Sequence, residues 1–194
     1  MQTHSIRLAV CTALLFASLP VLAEPQDGQK IKDWTVECQT VPKPEAKLDV
    51  KVQGSEEGGA GSEEQAETAP AAEITVCQIV QTLTEKSADK PVLQVAIGYL
   101  PEQEMPVASF VLPLGVFLPA GLQLRVDEGK TGRVPFVSCD PVGCHAGVEL
   151  DAEFLASMKQ GNQLNVTFGT PNRQGVTAPV SLQGFTAALD SLKN

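Results

Sequence analysis

The sequence predicts an all-β fold, a β-sandwich or partly closed barrel of about nine short strands with two short helices, stapled by disulfides. Three observations carry that prediction: short β-branched runs with a period of two, turn residues between them at close intervals, and an even set of cysteines following an apolar leader.

The leader comes first. Met1 to Arg7 contributes one positive charge, and Leu8 to Leu22 is apolar apart from Thr12, Ser18 and Pro20. This is the pattern of an export signal, with Val21 and Ala23 placing cleavage ahead of Glu24. The run is shorter than the roughly 20 apolar residues of a membrane span. Cys11 lies inside it, so a lipid-modified N-terminus is not expected. The expected organisation is therefore a signal peptide at 1–23 and a single domain at 24–194, with a disordered acidic insertion at 43–73. The full chain carries a formal charge of −9; removing residues 1–23 takes away Arg7 and no acid, leaving about −10. Bulk charge of that sign excludes nucleic acid as a partner and does not draw the protein to anionic lipid.

The first strand is Ile31 to Cys38, where Trp34, Val36 and Cys38 alternate with polar neighbours. The second, Ile74 to Leu83, is again rich in β-branched residues. Between them, 43–73 holds eight acids, among them Glu56, Glu57, Glu63, Glu64 and Glu67, and almost no large apolar side chain after Val52. Such a stretch buries too little surface to offset the entropy of ordering, and it lacks the spacing of a calcium-binding loop. Further strands are expected at Val92 to Leu100, Val107 to Leu112, Leu122 to Asp127, Arg133 to Ser138, His145 to Leu150, Leu164 to Phe168 and Val176 to Leu182. Asp127 to Gly132 reads as a hairpin loop and Gly169 to Gly175 as a longer one. Asp151 is placed to cap a helix carrying Phe154, Leu155 and Met158 on one face, stopped by Gly161. Phe185, Leu189 and Leu192 mark a second helix.

Four cysteines follow the leader: Cys38, Cys77, Cys139 and Cys144. Three pairings are possible. The favoured one joins Cys38 to Cys77 and Cys139 to Cys144, because Asp140-Pro141-Val142-Gly143 can turn the chain back on itself. By loop entropy the long closure is worth roughly 4 kcal/mol and the short one about 2 kcal/mol. A metal site is not expected, since no Cys-x-x-Cys pair occurs. The spacing of Cys139, Cys144 and His145 does not match haem attachment either.

The uncharged stretch Met105 to Leu124 is long enough to span a bilayer, but Pro106, Pro113, Pro119, Gly115 and Gly121 break it into strand, bend and strand. No transmembrane span is expected once the signal is cleaved. Within the stretch, Leu114, Val116, Phe117 and Leu118 form a concentrated apolar group. Two readings stand: a buried corner of the domain, or a hydrophobic site for a partner.

No catalytic centre is legible and no cofactor is expected. His145 is the one histidine after the leader and sits beside a cysteine expected to be oxidised, which removes the nearest thiol from nucleophilic work. Asp127, Glu128, Asp140, Glu149, Asp151 and Glu153 could in principle supply the paired acids of a hydrolase, but nothing in their spacing selects a pair. No phosphate-cradling glycine loop or dinucleotide fingerprint occurs.

Five stretches taken together resemble the invasion-associated locus B family of exported bacterial proteins: Asp33 to Cys38, Cys77 to Gln81, Leu112 to Gly121, Pro135 to Cys144 and Val180 to Leu189. Their order and spacing carry the resemblance across nearly all of the chain after the leader. It implies a periplasmic, secreted or outer-membrane-associated protein of a Gram-negative bacterium, with an envelope or host-surface protein as partner. It also implies a link, in some pathogens, to invasion of host cells, and it supplies no catalytic residues. The acidic insertion is longer than the family pattern requires. An envelope interaction protein is thus the leading expectation, with a periplasmic carboxylate-based hydrolase or a structural envelope stress factor as the alternatives.

Overall fold

The computed structural model describes residues 25–43, 73–85 and 90–193. The expected signal peptide and all but the ends of the expected acidic insertion lie outside them. Glu73, the last residue assigned to that insertion, already opens a strand.

Eleven strands form: β1 (Lys30–Ile31), β2 (Trp34–Pro42), β3 (Glu73–Glu85), β4 (Lys90–Gly98), β5 (Val107–Leu112), β6 (Leu122–Val126), β7 (Thr131–Val134), β8 (Phe136–Cys139), β9 (Cys144–Glu149), β10 (Gln163–Gly169) and β11 (Gly175–Ser181). Helix α1 (Ala152–Gln160) starts at Asp151, whose side chain accepts from the Phe154 N–H at 2.7 Å, and α2 (Phe185–Ser191) follows β11. Every expected strand has its counterpart, with two corrections to the count. A two-residue strand, β1, precedes β2. The strand expected at Arg133 to Ser138 is two strands broken at Pro135, which has no N–H for a ladder. Val134 pairs with Leu122 on one side of the break, and Phe136 with Ala146 on the other.

That break hands the chain from one sheet to the other. The larger sheet runs β1-β2-β3-β4-β5-β9-β8 and the smaller β11-β10-β6-β7. All neighbours within each sheet are antiparallel. The crossing at Pro135 makes a corner, but the sheets do not close into a barrel; the sandwich is the form adopted.

Alternation along the strands fills the space between the sheets. Leu93, Val95 and Ile97 of β4 and Ala108, Phe110 and Leu112 of β5 face Leu122 and Leu124 of β6, Leu164 and Val166 of β10, and Ala178 and Val180 of β11 in one continuous core. Trp34, fully buried, meets Phe185 of α2 with ring centroids 5.6 Å apart, so the second helix closes the core over the start of β2.

Strand direction gives the sandwich two unlike ends. At one, β5 and β9 finish their pairing at Leu112 and Cys144. The connections 113–121, 140–143 and 170–174 emerge there. At the other, β2 ends at Pro42 and β3 begins at Glu73, so the acidic stretch joins the fold at this far end. The β3–β4 ladder stops at Gln78 and Gly98, and beyond it β2 and β3 continue as a two-stranded ribbon. Cys38 and Cys77 are directly opposed at the base of that ribbon and are bonded. The second bond joins Cys139 and Cys144, also directly opposed, across β8 and β9.

Candidate functional site

The apolar segment 112–121 lies at the loop-bearing end, and its side chains divide between the two readings that the sequence left open. Val116 packs against the core. Phe117 is half-buried; its N–H donates to the Gly169 carbonyl at 2.8 Å, and the Arg173 guanidinium stands over its ring, 5.4 Å from the centroid. A Cβ on Gly169 would lie 3.0 Å from Phe117 Cβ, closer than side chains ordinarily pack, so the glycine lets this aromatic anchor sit close against β10. Leu114 and Leu118 point outward, 59% and 45% exposed. Of the four expected contact residues, therefore, two anchor the loop and two are displayed.

Backbone geometry explains the division. Leu118–Ala120 forms a single 3-10 turn with Pro119 inside it, entered from Phe117 in extended conformation and closed by Gly121 N–H donating to Leu118 O at 3.0 Å. Gly115 and Gly121 both hold positive φ, 98° and 64°. They flank the stretch in which Val116 and Phe117 turn inward while Leu118 turns outward, as Leu114 does just before Gly115. Arg133 Nη2 donates to Pro119 O at 2.9 Å and ties the turn to β7.

The hairpin between β8 and β9 adds a second apolar tip beside the first. Leu112 and Cys144 are the last paired residues of β5 and β9, and the buried Gly143 lies against the Leu112 carbonyl. Val142, next in the turn, is 80% exposed, and Val137 on the edge strand β8 is 76% exposed. Asp140 holds the turn: its Oδ1 accepts from the N–H groups of Val142 (2.7 Å) and Gly143 (3.1 Å), and its Oδ2 lies 3.0 Å from His145 Nε2. The His145 hydrogen bond, followed by the two backbone donors, lowers the Asp140 pKa below the usual carboxylate range. His145 is thus a strand residue at a loop edge, bonded to the turn, and Cys144 beside it is tied to Cys139.

Five of the six carboxylates considered for acid–base chemistry are held in structural contacts; the sixth, Glu149, is an exposed residue at the end of β9. Asp127 accepts from the N–H groups of Asn162 and Gln163, each at 3.0 Å, joining the β6–β7 turn to the start of β10. Glu128 pairs with Arg125 at 3.4 Å, and Asp151 caps α1. Glu153 lies 2.7 Å from Lys130 Nζ and raises the lysine's pKa, through the hydrogen bond first and its charge second. Lys130, Asp151 and Glu153 line a groove of about 260 Å³ between α1 and the β6–β7 turn, with both acids already engaged. Among the described residues, no three His, Cys, Asp or Glu side chains converge to hold a metal. No helix among them is long and apolar enough to cross a membrane, which says nothing of strands.

Sequence reasoning missed Val142, Arg133 and Arg173 at this end. An apolar residue in a four-residue turn was a readable signal for Val142. The arginines reach the site only through pairing across the smaller sheet and carry no local signal.

Comparison with known proteins places these features in context. Residues 62–193 match the sequence model described as "Invasion associated locus B (IalB) protein". An invasion protein B homolog of Brucella abortus (strain 2308) is 37% identical over 84 residues, covering 43% of this chain and 49% of that protein. Invasion protein B of Bartonella bacilliformis is 29% identical over 90 residues, covering 43% of this chain and 47% of its own length. The chain thus spans about half the length of the curated relatives it matches. The crystal structure of invasion associated protein b from Bartonella henselae superposes with a TM-score of 0.55 at 22% identity, over 60% of this chain and 84% of that one, and so shares its fold.

Proposed function

Since the chain belongs to the invasion associated locus B family, we propose that it is an exported interaction protein of the Gram-negative cell envelope, working in the periplasm or at the cell surface, and that its loop-bearing end is the contact surface. The observation that carries this reading is the outward display of Leu114, Leu118 and Val142 together at one end of the sandwich. Large apolar side chains held outward on anchored loops mark an interface, whereas a buried corner would turn them in. Phe117 and Val116 serve as the anchors that hold the displayed residues in place. The relatives' names tie them to invasion, and in a pathogen the contact would serve that process; the chemistry proposed for this chain is binding rather than catalysis. Asp127, Glu128, Asp140, Asp151 and Glu153 are engaged in caps, turns and ion pairs, which supports that choice.

In-cell crosslinking from a photoreactive residue at position 114 tests the reading, with position 128 at the opposite end as the control. Leu114 is exposed and Phe117 is half-buried, which makes 114 the better probe site. The expected result is a reproducible envelope adduct from 114 and none from 128. Equal yields from both positions, or no adduct from 114 in folded protein, would contradict it.

A further inference from the structure

The apolar end has a charge pattern of its own. Segment 112–121 holds no charged residue. At its rim stand Arg133 and Arg173, both exposed, and neither is paired with a carboxylate among the described residues. Asp140, in the adjoining turn, is an ionised carboxylate that accepts from the Val142 and Gly143 N–H groups and lies against His145. Glu85 and Lys90, opposed across β3 and β4 at this end, carry opposite charges. The chain as a whole is acidic, at −9, but the acidic stretch joins the sandwich at the far end, where β2 stops at Pro42 and β3 starts at Glu73.

Distance decides which charge a docking surface meets. The six residues of β5 extend about 20 Å from the far end to the apolar end. At physiological salt the screening length is about 8 Å, so acids at the far end are largely screened from a surface touching Leu114. Bulk charge does not draw this protein to anionic lipid, but close to the apolar loops two exposed guanidinium groups, one on the Pro119 carbonyl and one over the Phe117 ring, stand against the single carboxylate of Asp140.

Leu114, Leu118, Val137 and Val142 stand apart from the groove between α1 and the β6–β7 turn. They are tips on separate connections and an edge strand, with Arg173 beside them on the Phe117 ring and Arg133 on the Pro119 carbonyl. Apolar tips with arginines beside them suit a bilayer surface, where acyl chains take the apolar groups and phosphate groups take the cations. Resting on the reading of this end as the contact surface, we infer that it docks on an anionic lipid bilayer through Leu114, Leu118 and Val142, with Arg133 and Arg173 engaging lipid phosphates.

Co-sedimentation of the protein, purified as the cell leaves it, tests the inference. One set of vesicles is phosphatidylcholine alone and the other an equal mixture of phosphatidylcholine and phosphatidylglycerol. The wild type is expected to bind the mixed vesicles more tightly, and raising the salt should weaken that binding. R173E should lower the affinity by at least about fivefold, and L114D/L118D by at least roughly tenfold. Val142→Asp, on a separate turn, gives a loss independent of any change in the 112–121 loop, and near-ultraviolet circular dichroism confirms each fold. Equal binding to both vesicle types, or unchanged binding by folded L114D/L118D, overturns the inference. If no vesicle binds but position 114 crosslinks to an envelope protein, the lipid inference fails and the interaction reading stands. If neither occurs, both fail.

Discussion

Opening the bond between Cys38 and Cys77 should cost this fold much more than opening the one between Cys139 and Cys144. The first closes a sequence separation of 39 and the second of 5. Loop entropy assigns roughly 4 kcal/mol to the long closure and about 2 kcal/mol to the short one. Position strengthens the contrast. Cys38 and Cys77 pack against the core at the base of the β2–β3 ribbon, beyond which no third strand among the described residues supports the pair. The β8–β9 hairpin, by comparison, keeps its turn through the Asp140 N–H to the Gly143 carbonyl at 2.9 Å and through the Asp140 carboxylate. For a domain of this size 1 kcal/mol moves Tm by roughly 2–4 °C. C38A/C77A should therefore melt about 8–16 °C lower, and C139A/C144A about 4–8 °C lower. Thermal unfolding followed by circular dichroism under non-reducing conditions reads both. A larger loss in C139A/C144A, or none in C38A/C77A, would refute the assignment of the long closure as the principal staple.

Trp34→Ala removes a fully buried indole and its contact with Phe185, and should cost about 3–5 kcal/mol in urea unfolding; a loss confined to a few tenths would mean that α2 does not seal the core there. Gly121 sits at φ 64° and ψ −165°, a region essentially reserved for glycine, and a Cβ would lie 2.7 Å from Val134 O. Gly121→Ala should therefore lose about 1–3 kcal/mol or more, checked by the same titration. Asp140 has a pKa lowered in the fold, so its contribution is complete above the usual carboxylate range and disappears as pH falls through the lowered value. Asp140→Asn should accordingly shrink the stability difference between about pH 6 and about pH 2, and an unchanged difference would show that the turn does not depend on the ionised carboxylate.

Much of this architecture was legible because its causes are local. Alternation in Leu93-Gln94-Val95 or Leu122-Gln123-Leu124 is enough to assign strands, and Asp151 three residues before Phe154 is enough to start α1. The Cys139–Cys144 pairing was favoured because the four residues between them can turn the chain back, which left Cys38 to pair with Cys77. What escaped was non-local. Arg133 to Ser138 reads as one strand, and only the partners Leu122 and Ala146, distant in sequence, show that Pro135 divides it between two sheets. The site was half legible. Composition alone marked Leu114, Val116, Phe117 and Leu118 as a group, but which of them faces solvent depends on the turns at Gly115 and Gly121 and on Gly169 and Arg173 across the end of the sandwich. No pattern within the segment separates an anchoring Phe117 from a displayed Leu118.

The most direct measurement of whether the loop-bearing end is the working surface is the share of the protein retained by isolated envelopes, compared between the wild type and folded L114D/L118D. Both leucines are exposed, so the exchange should leave the melting temperature nearly unchanged. The wild type should sediment with the envelopes and the variant should stay in the supernatant. Equal retention of the two would contradict it and move the contact to another face.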